Sequence, residues 1–200
     1  MNSAVCTLEI AREISSGDFR SAMRRLAGGV SVITVGQGSD ITGMTVTSVS
    51  SLSVDPPTLI VSINRESSSW PLLKGHGFFG VNILTADQLD IAERFAGKDG
   101  LKGTARFDGA KWITGASGVP LLAGALAAIE CGVEDIVERH SHAIVIGRVL
   151  DTRLSSRSAA LAYWQGQYLA IDRDEDAIRL AEVSLPTRAK SDIATPKRRI

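Results

Sequence analysis

The sequence predicts a mainly β protein, a closed or split antiparallel barrel with a few short flanking helices, and three observations carry that prediction. First, its β-branched runs, such as Val30 to Val35 (VSVITV) and Thr58 to Asn64 (TLIVSIN), are joined by short turns and not by the crossover helices that parallel strands need. Second, two long strand-like runs, Leu126 to Glu138 and His142 to Thr152, flank the polar turn Arg139-His140-Ser141 and make the strongest hairpin in the chain. Third, every helical pattern is brief and is stopped by glycine soon after it opens.

Taken in order, Asp18 can cap a helix that carries Phe19, Ala22, Met23 and Leu26 on one side and ends at Gly28-Gly29. Residues 1–17 read as an N-terminal arm. Val30 to Val35 is a strand, and Gly36 to Asp40 turns it into the Ser/Thr-rich segment that starts at Gly43. In an extended chain Thr45, Thr47, Val49 and Ser51 share one face and Val46, Ser48 and Ser50 the other. Neither face is convincingly apolar, so one of them is expected to meet something polar. Asp55-Pro56-Pro57 must turn, because proline fixes φ and removes a donor. Thr58 to Asn64 then reads as a buried strand ending on the hydrogen-bonding side chains of Ser62 and Asn64.

Ser69 can cap a short helix through Trp70-Pro71-Leu72-Leu73-Lys74 that Gly75 closes, and Phe78 to Leu84 is the next strand. Thr85 and Gln88 form a capping-box pair before a helix with Leu89, Ala92 and Phe95 in line, stopped at Gly97. A glycine-rich loop, Lys98 to Gly109, leads towards the long hairpin. A short helix near Ser158 to Trp164 and a last strand near Tyr168 to Ile171 bring the count to about seven strands. After Asp172 the composition turns to mixed charge with a basic end, so the domain is read as residues 18–172 and a charged tail as 173–200.

A chain of 200 residues supports one domain that buries ~70% of its unfolded surface. Lys plus Arg equals Asp plus Glu at 22 each, so no overall basic field draws nucleic acid or anionic lipid. Cys6 and Cys131 are too few for a disulfide framework or a four-cysteine zinc site, and Cys131 fits a small buried hydrophobe. The first residues lack a sustained apolar run, so neither a signal peptide nor a membrane span is expected, and the expected location is cytoplasmic. His140 and His142 share a strand face, but no third ligand lies nearby, so no metal site is expected. Gly36-Gln37-Gly38 lacks the third glycine of a dinucleotide fingerprint, Gly100 to Thr104 is not a P-loop, and no Gly-x-Ser-x-Gly elbow occurs.

An ordered set of motifs adds a resemblance: Thr45, Ser48, Ser51, Ser53 and Asp55-Pro56-Pro57; Asn64 and Ser67-Ser68-Ser69-Trp70; Phe79 to Leu84; Ala92-Glu93-Arg94-Phe95; His142 to Val149; and Tyr163-Trp164-Gln165-Gly166-Gln167-Tyr168. Over roughly residues 18–171 the chain resembles the short-chain NAD(P)H:flavin oxidoreductases, the reductase partners of two-component flavin monooxygenases, which have a Greek-key split barrel. By that resemblance Gly43, Met44 and Thr45 line the flavin ring, and Ser62, Ile63 and Asn64 run beside ribityl or phosphate oxygens. Arg94 and Phe95 close over the adenylate or phosphate side, Tyr168 completes the cofactor-binding set, and His142 borders the nicotinamide pocket. The family's usual Gly-Asp-His is His140-Ser141-His142 here, which leaves the choice between NADH and NADPH open. Independently of family, Thr45, Thr47 and Ser48 can hydrogen-bond a polar ring, and Ser68 and Ser69 stand where a helix start favours phosphate.

The resemblance implies a homodimer that moves hydride from NADH or NADPH to FMN or FAD and hands reduced flavin to a separate flavin-dependent oxygenase. A flavoprotein that retains FMN and reduces another acceptor, and a non-catalytic flavin-binding module, are the alternatives. The lack of a convincing nucleophile or acid/base pair fits a reaction in which the cofactors carry the chemistry.

Overall fold

The computed structural model describes residues 13–156 and 159–172, so the charged tail, most of the N-terminal arm and Cys6 lie outside the described residues. Helix α1 is Ser16–Met23, followed by strands β1 (Gly28–Gly29), β2 (Ser31–Gln37), β3 (Asp40–Val46), β4 (Ser50–Val54) and β5 (Pro57–Asn64). Helix α2 (Ser69–His76), β6 (Phe78–Ile83) and helix α3 (Leu89–Phe95) come next. The remainder is β7 (Trp112–Thr114), β8 (Pro120–Leu122), β9 (Ala127–Arg139), β10 (His142–Leu154), β11 (Ala160–Trp164) and β12 (Gln167–Ile171).

Seven of these strands form one sheet in the order β3-β2-β6-β9-β10-β5-β4, with every pairing antiparallel. Strands β3 and β4 are consecutive in the chain yet occupy opposite edges, and only residues 47–49 join them. The sheet must therefore curl until its edges approach, which makes a barrel split along one seam. Ser48 stitches that seam: its Oγ donates to the Ser62 carbonyl at 2.9 Å and accepts from the Ser62 N–H at 3.3 Å. The Ser/Thr-rich segment is thus two strands on two edges and not one strand with two polar faces.

Alternate residues of the curled sheet point inward, and Ile33, Val35, Val61, Ile63, Phe79, Val81, Cys131 and Val145 fill the barrel together with Trp70 and Leu73 of α2. Burial pushes the Cys131 thiol up to about 12, so it is an inert core group. Gly147 makes room for Phe79; a Cβ there would run into the ring, 2.9 Å from Cε1. A second core lies outside the barrel, where Val30, Val32 and Leu84 meet Ile91, Ala92 and Phe95 of α3. Phe107 packs edge-on against both Phe95, at 5.0 Å, and Trp112, at 4.8 Å.

Several local expectations shift by a turn or change type. Ser15, not Asp18, caps α1: its Oγ accepts from the Asp18 N–H at 3.0 Å and donates to the Asp18 carboxylate at 2.8 Å. Asp18 instead sits in the first turn, where its charge suits the helix dipole. The helix stops before Gly28-Gly29, which pair with β11. Gly77, at φ 69, closes α2 in place of Gly75. The Thr85–Gln88 capping box is present, but it opens a short 3₁₀ turn before α3, whose buried face is Ile91, Ala92 and Phe95 while Leu89 stays exposed.

Of the expected helix at Ser158 to Trp164, Ser158 lies outside the described residues and Ala160–Trp164 is instead strand β11. Its Ala-rich sequence favours a helix in isolation, yet its backbone pairs with β1 and β12, and Gln165-Gly166 turn it at φ 51 and 85, the positive angles of a tight hairpin. The β7–β8 hairpin was not expected either. Buried polar groups pin it: Asn82 Oδ1 accepts from the Leu122 N–H at 2.7 Å, and Thr34 Oγ1 donates to the Pro120 carbonyl at 2.5 Å. Glu130, 1% exposed, accepts from the Ser117 and Ala116 N–H groups at 2.5 and 3.0 Å and so fixes the loop that joins these strands. Among the described residues no helix is long and apolar enough to cross a membrane.

Candidate functional site

The outer face of β5 and β10 carries the first half of the site. Val61 and Ile63 point into the barrel, so Ser62 and Asn64 point outward; in register beside them on β10 stand Ile144 and His142. Ile144 is 43% exposed and gives this polar row an apolar floor. Ser48 reaches it across the seam through its bonds to Ser62. His142 is exposed, its Nδ1 2.9 Å from the Ser141 hydroxyl. Behind it, Arg65 donates to the His140 carbonyl at 3.0 Å and pairs with Glu138 at 2.7 Å, which ties the tip of the β9–β10 hairpin to the chain leaving β5. Asn64 Oδ1 accepts from the Glu66 N–H at 3.0 Å and bends that chain towards α2.

At the start of α2 the three serines part company. Ser68 is the N-cap residue, exposed, and its side chain makes no capping bond. Ser69 is 1% exposed, and both its hydroxyl and that of Ser67 are buried with no hydrogen-bond partner. Buried hydroxyls are almost always satisfied, so two orphans at a helix start, where the Trp70 N–H is taken by the Ser67 carbonyl and Pro71 has none, leave two donors that suit an anionic oxygen. The residues present fit a flavin phosphate. Ser67 was absent from the sequence-based set; the consecutive serines were the signal, but only the phase of the helix decides which of them turn inward.

The other half lies across the Thr47–Ser48 link, where a cavity of about 350 Å³ is lined by Val30, Thr45, Val46, Thr47, Ala96, Tyr163, Gly166 and Tyr168. Thr45 Oγ1 donates to the Ala92 carbonyl near the end of α3 at 2.6 Å, so its hydroxyl fixes the wall, whereas the exposed Thr47 faces the opening. Tyr163 and Tyr168 meet edge to face at 5.0 Å, and burial pushes the Tyr168 phenol up. Tyr163 was missed as a site residue although it stands in the motif that contains Tyr168.

The remaining expected residues stand behind these surfaces. Gly43 is buried: a Cβ there would meet the Ile33 carbonyl oxygen and lie 2.8 Å from the Phe95 ring, and its own carbonyl accepts from Arg106 at 2.5 Å. Met44 and Ile63 turn into the barrel core. Phe95 is 2% exposed under Gly43, so its ring packs the second core and does not close over a phosphate. Arg94 is committed to the Asp108 carbonyl, which holds the glycine-rich loop against α3. Among the described residues no His, Cys, Asp and Glu group could hold a metal ion.

An antiparallel barrel split along one seam is the fold of the flavin reductases that this chain resembles. The model of the Flavin reductase like domain matches residues 23–172, and the chain belongs to that family. It is similar to the FMN reductase (NADH) RutF of Cronobacter sakazakii, 34% identical over 155 residues that make up 78% of this chain and 92% of the relative. Among solved structures it resembles BorF, the flavin reductase component of a bacterial two-component tryptophan halogenase, with a TM-score of 0.73 and 34% identity over 79% of this chain and 99% of BorF. The NADH:FAD oxidoreductase SgcE6 of Streptomyces globisporus is also similar, with a TM-score of 0.71 and 30% identity over 80% of this chain and 96% of SgcE6.

Proposed function

We propose that the protein is an NAD(P)H:flavin oxidoreductase that reduces FMN or FAD with NADH or NADPH and releases reduced flavin to a separate flavin-dependent oxygenase. The observation that carries this reading is the pair of unpartnered buried hydroxyls, Ser67 and Ser69, at the start of α2. The names of its relatives support it: RutF is an FMN reductase that uses NADH, and BorF belongs to a two-component halogenase.

The flavin, when bound, supplies a ring that accepts hydride; the protein's task is alignment and anchoring. Ser67 and Ser69, at the start of α2, hold the phosphate. Ser62 and Asn64 face the ribityl chain, while Gly43, Met44, Thr45, Thr47 and Ser48 shape the strand end beside the ring, and Ile144 keeps water from one side. His142 positions the nicotinamide, and its hydrogen bond to Ser141 orients the imidazole. No buried acid/base pair is needed, because correct orientation alone lowers the barrier to hydride transfer substantially.

The protein acts in the cytoplasm as a homodimer. The dimer is supported by α1, which buries none of its residues and leaves Phe19 exposed, with Ile14 just before it. Mixing the purified protein with NADH or NADPH and excess free FMN or FAD tests the reading. Rapid coenzyme oxidation that scales with free flavin is the expected result. Retained flavin that turns over only with another acceptor, or flavin binding without turnover, would overturn it.

A further inference from the structure

A second cavity, of about 330 Å³, lies between α1 and the β11–β12 turn; its lining includes Arg20, Arg24, Leu26, Thr47, Tyr163 and Gln165 and contains no carboxylate. Arg20 stands in the last turn of α1 and Arg24, four residues on, is its C-cap residue, and both line the recess. Arg20 Nε donates to the Ser16 carbonyl at 3.2 Å, and no ion pair among the described residues involves either guanidinium. Two like charges at this spacing repel unless an anion lies between them. The opposite wall is fixed in place: the Gln165 N–H donates to the Arg24 carbonyl and Trp164 Nε1 to the Arg25 carbonyl, each at 3.0 Å. The cavity is therefore a cationic, partly apolar recess with rigid sides.

Its position narrows the ligand. Thr47 and Tyr163 line both this recess and the Thr45–Tyr168 cavity, so a molecule with its anion against the arginines has its next groups at the ring site. Paired guanidinium forks suit phosphate oxygens. We infer that the Arg20–Arg24 recess binds the diphosphate of the nicotinamide coenzyme, its adenosine diphosphate half, since the diphosphate of FAD includes the flavin phosphate held at the start of α2. This rests on the flavin reductase reading for the occupant of the neighbouring cavity. It also moves the anchoring of an adenylate half from Arg94, which is engaged with Asp108, to α1.

The test is calorimetric titration of the flavin-free protein with ADP-ribose, which carries the diphosphate and neither redox ring, beside the double variant Arg20→Gln/Arg24→Gln. Wild type should bind it, added salt should weaken that binding, and the double variant should weaken it by at least about tenfold, with Arg20→Lys/Arg24→Lys in between. FMN affinity should stay at the wild-type value. A raised KM for NADH in the double variant, with the Kd for FAD unchanged, is the expected result, and a raised Kd for FAD with an unchanged KM overturns the assignment to the coenzyme. Absence of ADP-ribose binding to wild type, or equal binding to both proteins, overturns the inference. The outcomes separate from those of the activity itself: a wild type that oxidises no NADH with either flavin removes the flavin reductase reading, while the ADP-ribose titration still decides the site.

Discussion

Replacing Ser69 with alanine should move stability and ligand affinity in opposite directions. The Ser69 side chain is 1% exposed and its hydroxyl has no partner. An unsatisfied buried hydroxyl costs roughly 1 to 3 kcal/mol, and alanine removes it while keeping the Cβ and improving helix propensity. The flavin-free variant should therefore be more stable by about 1 kcal/mol or somewhat more. With flavin present the same hydroxyl donates to a charged phosphate oxygen, worth roughly 1.5 to 3 kcal/mol, so the Kd for FMN should rise about 10- to 150-fold. Urea unfolding followed by tryptophan fluorescence reads the first effect, and fluorescence titration of FMN reads the second. Because ligand adds RT ln(1 + [L]/Kd), enough FMN should reverse the order of stability of the two proteins. A variant that loses stability and keeps its FMN affinity would refute the reasoning, since the hydroxyl would then be a structural group and not a phosphate donor.

Glu130→Gln should destabilise the protein by roughly 2 to 4 kcal/mol at neutral pH, because one of two charged acceptors becomes a donor facing an N–H. Burial alone would raise the Glu130 carboxyl, but its bonds from Ser117 and Ala116 outweigh that and hold it below the usual range. Its stabilisation is thus complete above about pH 4.3 and fades as pH falls through the folded value, so urea midpoints of wild type and variant should converge in acid. Parallel pH profiles would show that the carboxylate is not the cause. His142→Ala should lower kcat/KM for NADH about 10- to 100-fold, or ~1.4 to 2.7 kcal/mol, with flavin affinity unchanged. His140→Asn is the control, since His140 sits at φ 51 where asparagine is tolerated; equal anaerobic stopped-flow rates for wild type and His142→Ala would make His142 a bystander. Gly43→Ala should cost at least about 3 kcal/mol, because Ile33 is backbone and the Phe95 ring is boxed in by its neighbours; a melting temperature equal to wild type would contradict this packing.

The strands were legible wherever β-branched runs met turn residues, as in β2, β5 and the β9–β10 hairpin, because backbone preference and burial agree there. Strand β11 was not, since Ala160 to Trp164 prefers a helix locally and only pairing with Gly28-Gly29 and β12 overrides that. The β7–β8 hairpin was hidden for a related reason: it is short, and its anchors Asn82, Thr34 and Glu130 come from other strands. In the site, the hydroxyl-bearing positions could be read from sequence, but their state could not. Which serine of the triplet is orphaned depends on helix phase, and whether Phe95 is a lid or core depends on a glycine 52 residues away. The Arg20–Arg24 recess brings together residues too far apart in sequence for spacing to reveal.

The seam has a consequence for how such a protein can change. Six strand ladders hold the sheet together, whereas the link between its two edge strands is tied back to Ser62 of β5 by the Ser48 side chain, beside the candidate site. Lengthening or shortening the link at residues 47–49 would slide Ser48 past Ser62 and reshape the opening without breaking a ladder. The molecule behaves like a belt with an adjustable buckle: its girth is set by the strands, and the width of its opening by three residues at the clasp.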